Sequence, residues 1–314
     1  MMPAHSIPHL IETLPQIRGR MQSDAPLAQA TWFRVGGPAE ILVRPADSPD
    51  LAAFLAALPL EVPLTVIGAA SNLIIRDGGI AGVVIRLARG FGEVTVEPDG
   101  VIVGAAALDA VVAEHAAQAG LAGIEFLSGI PGSIGGAIAM NAGAYGGDVA
   151  ATLDWAEIIT RQGELVRLQA TDIGFSYRHS GLPAESVVVR ARFHARPGDT
   201  TAIAARMAEI RTSREATQPT RARTGGSTFR NPEGARAWEL IEAAGARGLI
   251  RGGAQISEKH CNFMLNIGDA TAADLEGLGE EVRRRVHATS GITLNWEIKR
   301  LGLPASPLVM GAKP

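Results

Sequence analysis

The sequence has little cysteine, few aromatic residues and no clustered histidines, and each shortage excludes a class of protein. Its single cysteine, Cys261, can neither form an internal disulfide nor build a sulfur-rich metal site. The seven histidines are scattered along the chain, so we expect no structural metal. Aromatic residues make up 4% of the chain, which argues against a base-stacking surface for nucleic acid.

The chain also lacks a strong excess of either charge and a clear membrane segment. Lys and Arg number 29 against 32 Asp and Glu, so a nucleic-acid partner is not expected. The first twenty residues carry no apolar run typical of a secretory signal. The uncharged stretch 126–147 could span a bilayer by length, but Pro131 and seven glycines make it a poor helix. We therefore expect a cytoplasmic protein with no membrane partner.

What the sequence does contain is a mixture of strand and helix patterns typical of an α+β protein. Strands are predicted at 39–45, 63–68, 83–87, 186–194 and 292–301, with hairpins at 93–103 and 155–168. Helices are predicted at 47–58, 109–119 (ended by Gly120), 200–217, 235–244 and 272–289. The first helix and its two flanking strands form a β-α-β unit that favours parallel pairing. A domain boundary is expected within 198–218.

Two segments rich in small residues are candidates for ligand binding by the backbone. The first is Gly68–Asn72, at the end of a predicted strand, where backbone N–H groups can approach a phosphate. The alternative is an ordinary tight turn. The second is the glycine-rich run 129–147, which is uncharged and matches neither the dinucleotide fingerprint nor the Walker A loop. A flexible surface loop is its alternative.

Four further places could carry chemistry, and each also has a purely structural interpretation. Ser227 follows two glycines and could deliver a proton, or it could simply occupy a turn. Glu297 alternates with an apolar face, so it could be an ordinary solvent-facing charge. Tyr177-Arg178 could be a core tyrosine beside a surface arginine. His260 could contact a ligand or cap a loop, whereas Cys261 is expected to fill the core.

Taken in chain order, these segments resemble the UDP-N-acetylenolpyruvoylglucosamine reductase family, also called UDP-N-acetylmuramate dehydrogenases. The resemblance extends from about Thr31 to Leu301, and its first marker is the run TWFRVGG at 31–37. The later markers are Ser71-Asn72, Gly129–Gly136, Asn141–Gly143, Tyr177-Arg178, Gly226-Ser227 with Asn231-Pro232, and Glu297. No single marker is decisive, but their joint order and spacing are specific.

The resemblance implies a two-lobed FAD-binding domain of the vanillyl-alcohol-oxidase (PCMH) type followed by a C-terminal α+β substrate domain. The expected divisions are a loosely packed extension at 1–20, FAD lobes at 21–88 and 89–200, a substrate domain at 201–302 and a tail at 303–314. The residues implied to bind the cofactor are Arg34, Gly68, Ser71, Asn72, Gly129, Pro131, Gly132, Ser133, Gly135, Gly136, Asn141, Ala142 and Gly143. Neither glycine-rich segment contains a histidine, so we expect non-covalent FAD.

The implied reaction uses NADPH to reduce the flavin, which then passes hydride to the enolpyruvyl group of UDP-N-acetylglucosamine enolpyruvate. By resemblance, Arg178 polarises the substrate carboxylate, Ser227 protonates the resulting enolate, and Glu297 stabilises or relays charge. The residues implied to contact the substrate are Tyr177, Arg230, Asn231 and His260. A flavin oxidase of the same fold and a non-catalytic nucleotide-sugar sensor are the alternatives. A monomer is expected.

The chain departs from the family pattern in three places. Ala70 stands where a second glycine is common, so it is strained if that position requires a positive φ. Arg230 replaces a frequent lysine, which keeps the charge but changes its geometry. No tyrosine lies between Tyr177 and Ser227, which matches the shorter, second subtype of the family. The residues that hold the sugar diphosphate are then chosen by charge alone: Arg221, Arg223 and Arg230.

Overall fold

The computed structural model describes residues 9–305, which fall into two compact units. The first contains the chain up to Asp24 together with Ile41–Ala70 and Gly82–Thr217. The second contains Ala25–Glu40, Ser71–Ala81 and the chain from Gln218 onward. Both units are therefore assembled from separated segments. The contiguous lobes and the tail proposed from the sequence stay a prediction.

A sheet with the order β1-β2-β5-β3 has most of its residues in the first unit. These strands are β1 (Arg20–Pro26), β2 (Pro38–Arg44), β3 (Leu64–Val66) and β5 (Ile80–Ile85). Helix α2 (Ser48–Ala57) follows β2, and its N-terminus is capped by the Asp47 carboxylate, which accepts from the Asp50 N–H at 3.0 Å. The predicted helix and strands are confirmed. Their pairing is less direct, because β3 pairs in parallel with β5, which separates it from β2.

The described N-terminal residues pack against this core. Helix α1 (Leu10–Thr13) is followed by Leu14, which is buried in the same apolar cluster as Phe54. The Arg18 N–H donates to the Asp50 carboxylate at 2.8 Å. The expectation of a loosely packed extension is therefore wrong for residues 10–18, whose apolar side chains complete the core beside α2. Residues 1–8 lie outside the described residues.

A second sheet of the first unit is fully antiparallel, with the order β12-β11-β13-β7-β6. Its strands are β6 (Val94–Glu97), β7 (Gly100–Gly104), β11 (Leu153–Ile159), β12 (Leu165–Gln169) and β13 (Val187–His194). Both predicted hairpins are confirmed. The helices of this unit are α3 (Asp109–Gln118), α4 (Ile134–Ala139), α5 (Val149–Thr152) and α6 (Thr200–Thr217). Helix α3 ends before Gly120, whose φ of +71° suits glycine.

Short strand pairs complete this unit. Strand β8 (Leu121–Ala122) pairs with β14 (Arg196–Pro197), and β9 (Gly143–Ala144) pairs with β10 (Gly147–Asp148). The glycine-rich run 129–147 therefore contains a helix and part of a hairpin. Its buried apolar residues join the core shared by α3, α6 and the antiparallel sheet.

The second unit is built on helices α7 (Ala237–Ala243) and α8 (Ala272–Ser290) and the sheet β15-β16-β17. The strands of that sheet are Ile250–Arg251, Ala254–Ile256 and Met264–Asn266. Helix α8 begins with a capping box and ends at Gly291, whose φ is +73°. Cys261 is fully buried in the core of this unit, as expected.

The last predicted strand is shorter than the sequence pattern indicated. Only β18 (Lys299–Leu301) is a strand, and it pairs in parallel with β4 (Leu73–Ile75). The preceding residues keep the alternation, since Leu294 and Ile298 are buried. They lack a continuous strand partner, so apolar periodicity without a ladder predicted too long a strand.

Within residues 9–305, no helix has both the length and the apolar character needed to cross a bilayer. The same residues contain no group of three or more His, Cys, Asp or Glu side chains placed to hold a metal ion.

Candidate functional site

The two predicted cofactor loops of the first unit lie side by side. The Ala69 N–H donates to the Ser133 hydroxyl at 3.3 Å. A Cβ added to Gly68 would lie 2.6 Å from that hydroxyl oxygen and 3.9 Å from the Gly136 nitrogen. Gly68 and Gly136 are exposed, whereas Ser133 is buried beside them. The arrangement presents bare backbone from two loops, as a phosphate-binding surface requires.

Ala70 adopts a positive φ, the conformation that the sequence analysis expected to strain an alanine at this position. Its φ is +53°, in the left-handed region that favours glycine, and the residue is buried. This conformation costs an L-residue roughly 1–2 kcal/mol. The strain expected of alanine at this position is therefore present in the loop.

Two glycines of the second segment lie in close contact with neighbouring side chains. A Cβ at Gly129 would lie 2.7 Å from the Tyr145 ring, and a Cβ at Gly135 would lie 3.2 Å from that of Ala105. The Gly132 carbonyl accepts from the Asp109 N–H at 3.2 Å. Pro131, next to it, is half-buried. The alternative of a flexible surface loop is therefore wrong for this segment.

Asn141 connects the end of the glycine-rich segment to a turn that carries Arg178. Its side-chain amide donates to the Ser176 carbonyl at 3.0 Å, and its side-chain oxygen accepts from the Ala150 N–H at 2.9 Å. The Arg178 guanidinium donates to the Gly143 carbonyl at 2.9 Å. Ala142, between Asn141 and Gly143, is buried in the core. The first unit thus brings predicted cofactor residues and a predicted catalytic arginine together.

The turn itself shows an unusual backbone. Ser176 and His179 exchange two backbone hydrogen bonds, of 3.0 and 3.1 Å, so Tyr177 and Arg178 occupy the tip. Arg178 has a φ of +56°, which strains a non-glycine residue. Tyr177 is 55% exposed, so the interpretation as a core tyrosine is wrong. Its ring lies 5.4 Å from the half-buried Arg178 guanidinium, which holds the two side chains together.

In the second unit, Ser227 begins a short extended strip that is bonded on both sides. It forms an isolated antiparallel bridge with Phe263, directly after Gly226, whose φ is +78°. The Thr228 N–H donates to the Asn262 carbonyl at 2.7 Å. On the other side, the Glu297 N–H donates to the Thr228 carbonyl at 2.9 Å. The predicted proton donor and the predicted acid therefore flank one residue, Thr228.

Asn72 extends this arrangement toward the predicted cofactor residues. Its side-chain amide donates to the Glu297 carbonyl at 3.2 Å, and its carbonyl accepts from the Lys299 N–H at 3.1 Å. Ser71 precedes it, and both are half-buried. The second unit thus joins Asn72, Glu297 and Ser227 through main-chain contacts. The first loop is divided by this grouping, since Gly68 belongs to the first unit.

The other predicted binding residues of the second unit have individual structural roles. Arg34 is exposed at a φ of +60°, and its guanidinium donates to the Gln29 carbonyl. Arg230 is half-buried, and its N–H donates to the Asn295 carbonyl at 2.9 Å. The exposed Asn231 accepts from the Ala237 N–H at 3.0 Å, which places it at the start of α7.

His260 is held in a partly buried aromatic setting. Its ring centroid lies 4.9 Å from that of Phe263 and 6.3 Å from that of Trp238. Its Nδ1 accepts from the Asn262 N–H at 3.2 Å, as the loop-capping interpretation requires. Burial lowers the pKa of His260 below its ordinary value, which favours the neutral ring.

Two residues that the sequence analysis did not select stand out in the structure. Asn262 is buried, and its side chain both accepts from the Phe229 N–H at 3.0 Å and donates to the Phe229 carbonyl at 2.8 Å. Asp109 is fully buried, and neither carboxylate oxygen has a hydrogen-bond partner within residues 9–305. No local signal identifies either residue, because each is defined by its tertiary surroundings.

Comparison with known families first defines the class of protein. Residues 39–169 match the model of an FAD binding domain. Residues 218–301 match the C-terminal domain of UDP-N-acetylenolpyruvoylglucosamine reductase. The α+β architecture is therefore an FAD-binding domain followed by a reductase-specific C-terminal domain.

Relatives over nearly the full length identify the family. The chain is 68% identical to the UDP-N-acetylenolpyruvoylglucosamine reductase of Acidiphilium cryptum, over 93% of this chain and 94% of that protein. It is 65% identical to the Granulibacter bethesdensis reductase, over 92% and 93%. The crystal structure of the Thermus caldophilus enzyme superposes with a TM-score of 0.78 at 36% identity, covering 91% of this chain and all of that one. The chain belongs to the UDP-N-acetylenolpyruvoylglucosamine reductase family.

Proposed function

We propose that the chain reduces UDP-N-acetylglucosamine enolpyruvate to UDP-N-acetylmuramate during peptidoglycan precursor synthesis, with non-covalent FAD as cofactor and NADPH as co-substrate. Family membership over nine-tenths of the chain supports the reaction. The observation that carries the mechanism is the hydrogen-bonded strip that places Ser227 and Glu297 on either side of Thr228. A cytoplasmic location and a monomeric state stay predictions from the sequence.

The residues present fit FAD. Exposed backbone at Gly68 and Gly136, with the Ser133 hydroxyl between them, suits contacts with a diphosphate. The other residues proposed to hold the cofactor are Arg34, Ser71, Asn72, Gly129, Pro131, Gly132, Gly135, Asn141, Ala142 and Gly143. Bound FAD supplies the hydride chemistry, while the protein supplies orientation and electrostatics.

The protein's part of the chemistry is to handle the charge that hydride addition creates. Arg178 binds and polarises the substrate carboxylate, next to which negative charge develops. Its strained backbone and its bond to the Gly143 carbonyl restrict the directions in which the guanidinium can point. Ser227 then donates a proton to the enolate carbon, and Glu297 stabilises or relays charge at this centre.

Four residues are proposed to contact the substrate. Tyr177, exposed at a turn, offers a ring and a hydroxyl. Arg230, Asn231 and His260 belong to the second unit, and the neutral ring of His260 suits a hydrogen bond with a sugar or base. Arg221 and Arg223 are exposed and, with Arg230, are the candidates for the diphosphate.

Replacing Ser227 tests the proposed chemistry. Ser227→Ala should keep FAD bound and keep flavin reduction by NADPH, because the hydroxyl serves only the second half-reaction. Reoxidation of the flavin by the UDP-enolpyruvyl sugar should slow by at least about a hundredfold, the usual contribution of a proton donor. Rapid-mixing absorbance separates the two steps. Glu297→Gln should follow the same pattern.

Thr228→Val provides the matched control. Thr228 follows Ser227 in the chain, and its hydroxyl is fully buried and has no hydrogen-bond partner among the described residues, so its loss should leave both half-reactions unchanged. An unaltered reoxidation rate in Ser227→Ala would reject the proton-donor role. A wild-type protein whose reduced flavin reacts rapidly with oxygen but ignores the UDP-sugar would instead be an oxidase.

A further inference from the structure

Asn262 substitutes for a β-strand partner of the strip that carries Ser227. A strand neighbour would satisfy Phe229 with one backbone donor and one backbone acceptor. Here the Asn262 side chain does both, accepting from the Phe229 N–H at 3.0 Å and donating to its carbonyl at 2.8 Å. The amide group offers a donor and an acceptor side by side in one plane.

The backbone of Asn262 adds a third bond to the same strip, because its carbonyl accepts from the Thr228 N–H at 2.7 Å. Asn262 itself is only 4% exposed, so these bonds are not exchanged freely for bonds to water. Its own N–H is occupied by His260 Nδ1 at 3.2 Å, which fixes the loop from behind. The two residues that come after Ser227 are therefore anchored by one side chain and its carbonyl.

This anchor matters because Gly226, directly before Ser227, offers little restraint. It has a φ of +78° and open space where a Cβ would lie. Glycine backbone is conformationally permissive, so the orientation of the serine depends strongly on the residues after it. We propose that Asn262 is a positioning residue that holds the Ser227 hydroxyl in the orientation required for proton transfer. This inference rests on the proposed role of Ser227.

The variant Asn262→Asp tests the proposal through the pH dependence of its reoxidation rate. When protonated, the introduced carboxyl offers an O–H donor and a carbonyl acceptor in nearly the amide geometry, whereas its carboxylate form only accepts and faces the Phe229 carbonyl. Burial and that carbonyl both favour the protonated form. Above the pKa of the new carboxyl, its protonated fraction falls about tenfold per pH unit. The reoxidation rate of the variant relative to wild type should fall with it.

Other titratable groups surround this loop, and their effect on the reoxidation rate is measured in wild type at the same pH values. His260 and Cys261 precede Asn262 in the loop, Arg230 comes after the strip, and Glu297 borders its other side. Arg247 acts electrostatically on His260 and Cys261. These groups are the same in variant and wild type, so the ratio of the two rates at each pH removes their common contribution.

The experiment measures both half-reactions by rapid mixing between about pH 6 and 9, with rates normalised to bound flavin. In Asn262→Asp, reduction by NADPH should match wild type, and reoxidation by the UDP-enolpyruvyl sugar should slow as pH rises. Asn262→Ala should slow reoxidation at every pH, without recovery at low pH. Asn266→Asp is the matched control: its buried side-chain amide donates to the Phe33 carbonyl at 2.7 Å, so the relative reoxidation rate should stay constant.

The outcomes separate this inference from the proposed function. If wild type fails to reoxidise with the UDP-sugar, the function itself is wrong. If wild type works and Asn262→Ala keeps its reoxidation rate, the positioning role is overturned. It is also overturned if both Asn262 variants lose flavin binding, or slow the two half-reactions equally, because Asn262 would then support the fold in general.

Discussion

Asp109 should make the protein less stable as the pH rises, and replacing it with asparagine should remove that loss. It is the first residue of α3, is 0% exposed, and neither side-chain oxygen has a hydrogen-bond partner within residues 9–305. Burial raises the pKa of this carboxyl well above its ordinary value. The unfolded chain releases the proton near about pH 4, whereas the folded chain retains it.

The sign and size of the effect are set by proton linkage. Between the unfolded and the folded pKa of Asp109, the native state binds more protons, so the free energy of unfolding falls as pH rises. The slope is about 1.4 kcal/mol per pH unit until the folded pKa is passed. The positive end of the α3 dipole opposes this by only about 0.3–1 kcal/mol, so burial wins. The asparagine in Asp109→Asn cannot ionise, so the free energy of unfolding of this variant should not fall with pH in this way.

The assay is urea unfolding followed by far-ultraviolet circular dichroism, in excess FAD, at about pH 4, 5, 6 and 7. Asp109→Asn and wild type should have similar free energies of unfolding near pH 4, and the variant should become the more stable as pH rises. A variant that is less stable by the same amount at every pH would refute the reasoning, since the pKa of Asp109 would then be the same in the folded and the unfolded state.

Asp50 provides the opposite control from the same unit. Burial would raise its pKa, but hydrogen bonds from the Ala46, Arg18 and Gly19 N–H groups outweigh burial, and the pKa lies below its ordinary value. The ionised Asp50 carboxylate therefore stabilises the folded state above about pH 4. This stabilisation is lost as the pH falls through the pKa that Asp50 has in the folded protein. Asp50→Asn should be less stable than wild type near pH 7, with a deficit that shrinks toward lower pH.

Two further predictions concern packing. Arg161→Met should lower the free energy of unfolding by about 3–5 kcal/mol in the same urea titration, because the 5% exposed guanidinium donates to three main-chain carbonyls in the segment that follows α2. The exposed Arg284→Met should leave the free energy of unfolding nearly unchanged. Gly225→Ala should cost about 1–3 kcal/mol, because its Cβ would lie 2.3 Å from the buried Phe33 ring. Gly268→Ala, with open space around its Cβ, should leave the melting temperature nearly unchanged, and equal shifts for the two glycine variants would contradict the packing argument.

Elements with strong local signals were predictable from the sequence. Helix α6 has the predicted bounds Thr200–Thr217, and α2 begins at the predicted cap, because alternation, capping residues and turn residues act within a few positions. Elements that depend on distant partners were not. The strand predicted at 292–301 is reduced to Lys299–Leu301, since only those residues find a parallel neighbour in β4.

The candidate site also contains features that were predictable from the sequence and features that depend on distant residues. Glycine density and small polar residues predicted two backbone segments for ligand binding, and the structure brings Ala69 of the first segment next to Ser133 of the second. Their contact with a ligand stays a prediction. Nothing near Asn262 in sequence reveals that its amide completes Phe229, which lies 33 residues away. A buried asparagine in a loop and a surface asparagine have the same local pattern, so tertiary structure alone separates them.

Positive φ angles at non-glycine residues are an indication of function that amino-acid composition does not provide. Among residues 9–305, seven non-glycine residues have positive φ, and they include Arg34, Asn141 and Arg178, which the family resemblance assigned to the site. Ala70, in the predicted cofactor loop Gly68–Asn72, is a fourth. Each costs roughly 1–3 kcal/mol and persists only where surrounding contacts impose it. Two contacts of this kind are in place, from Asn141 to the Ser176 carbonyl and from Arg178 to the Gly143 carbonyl. Contacts that impose such conformations fix the directions of side chains that a relaxed backbone would leave variable, and this suits the roles proposed for these residues in holding a cofactor and a carboxylate.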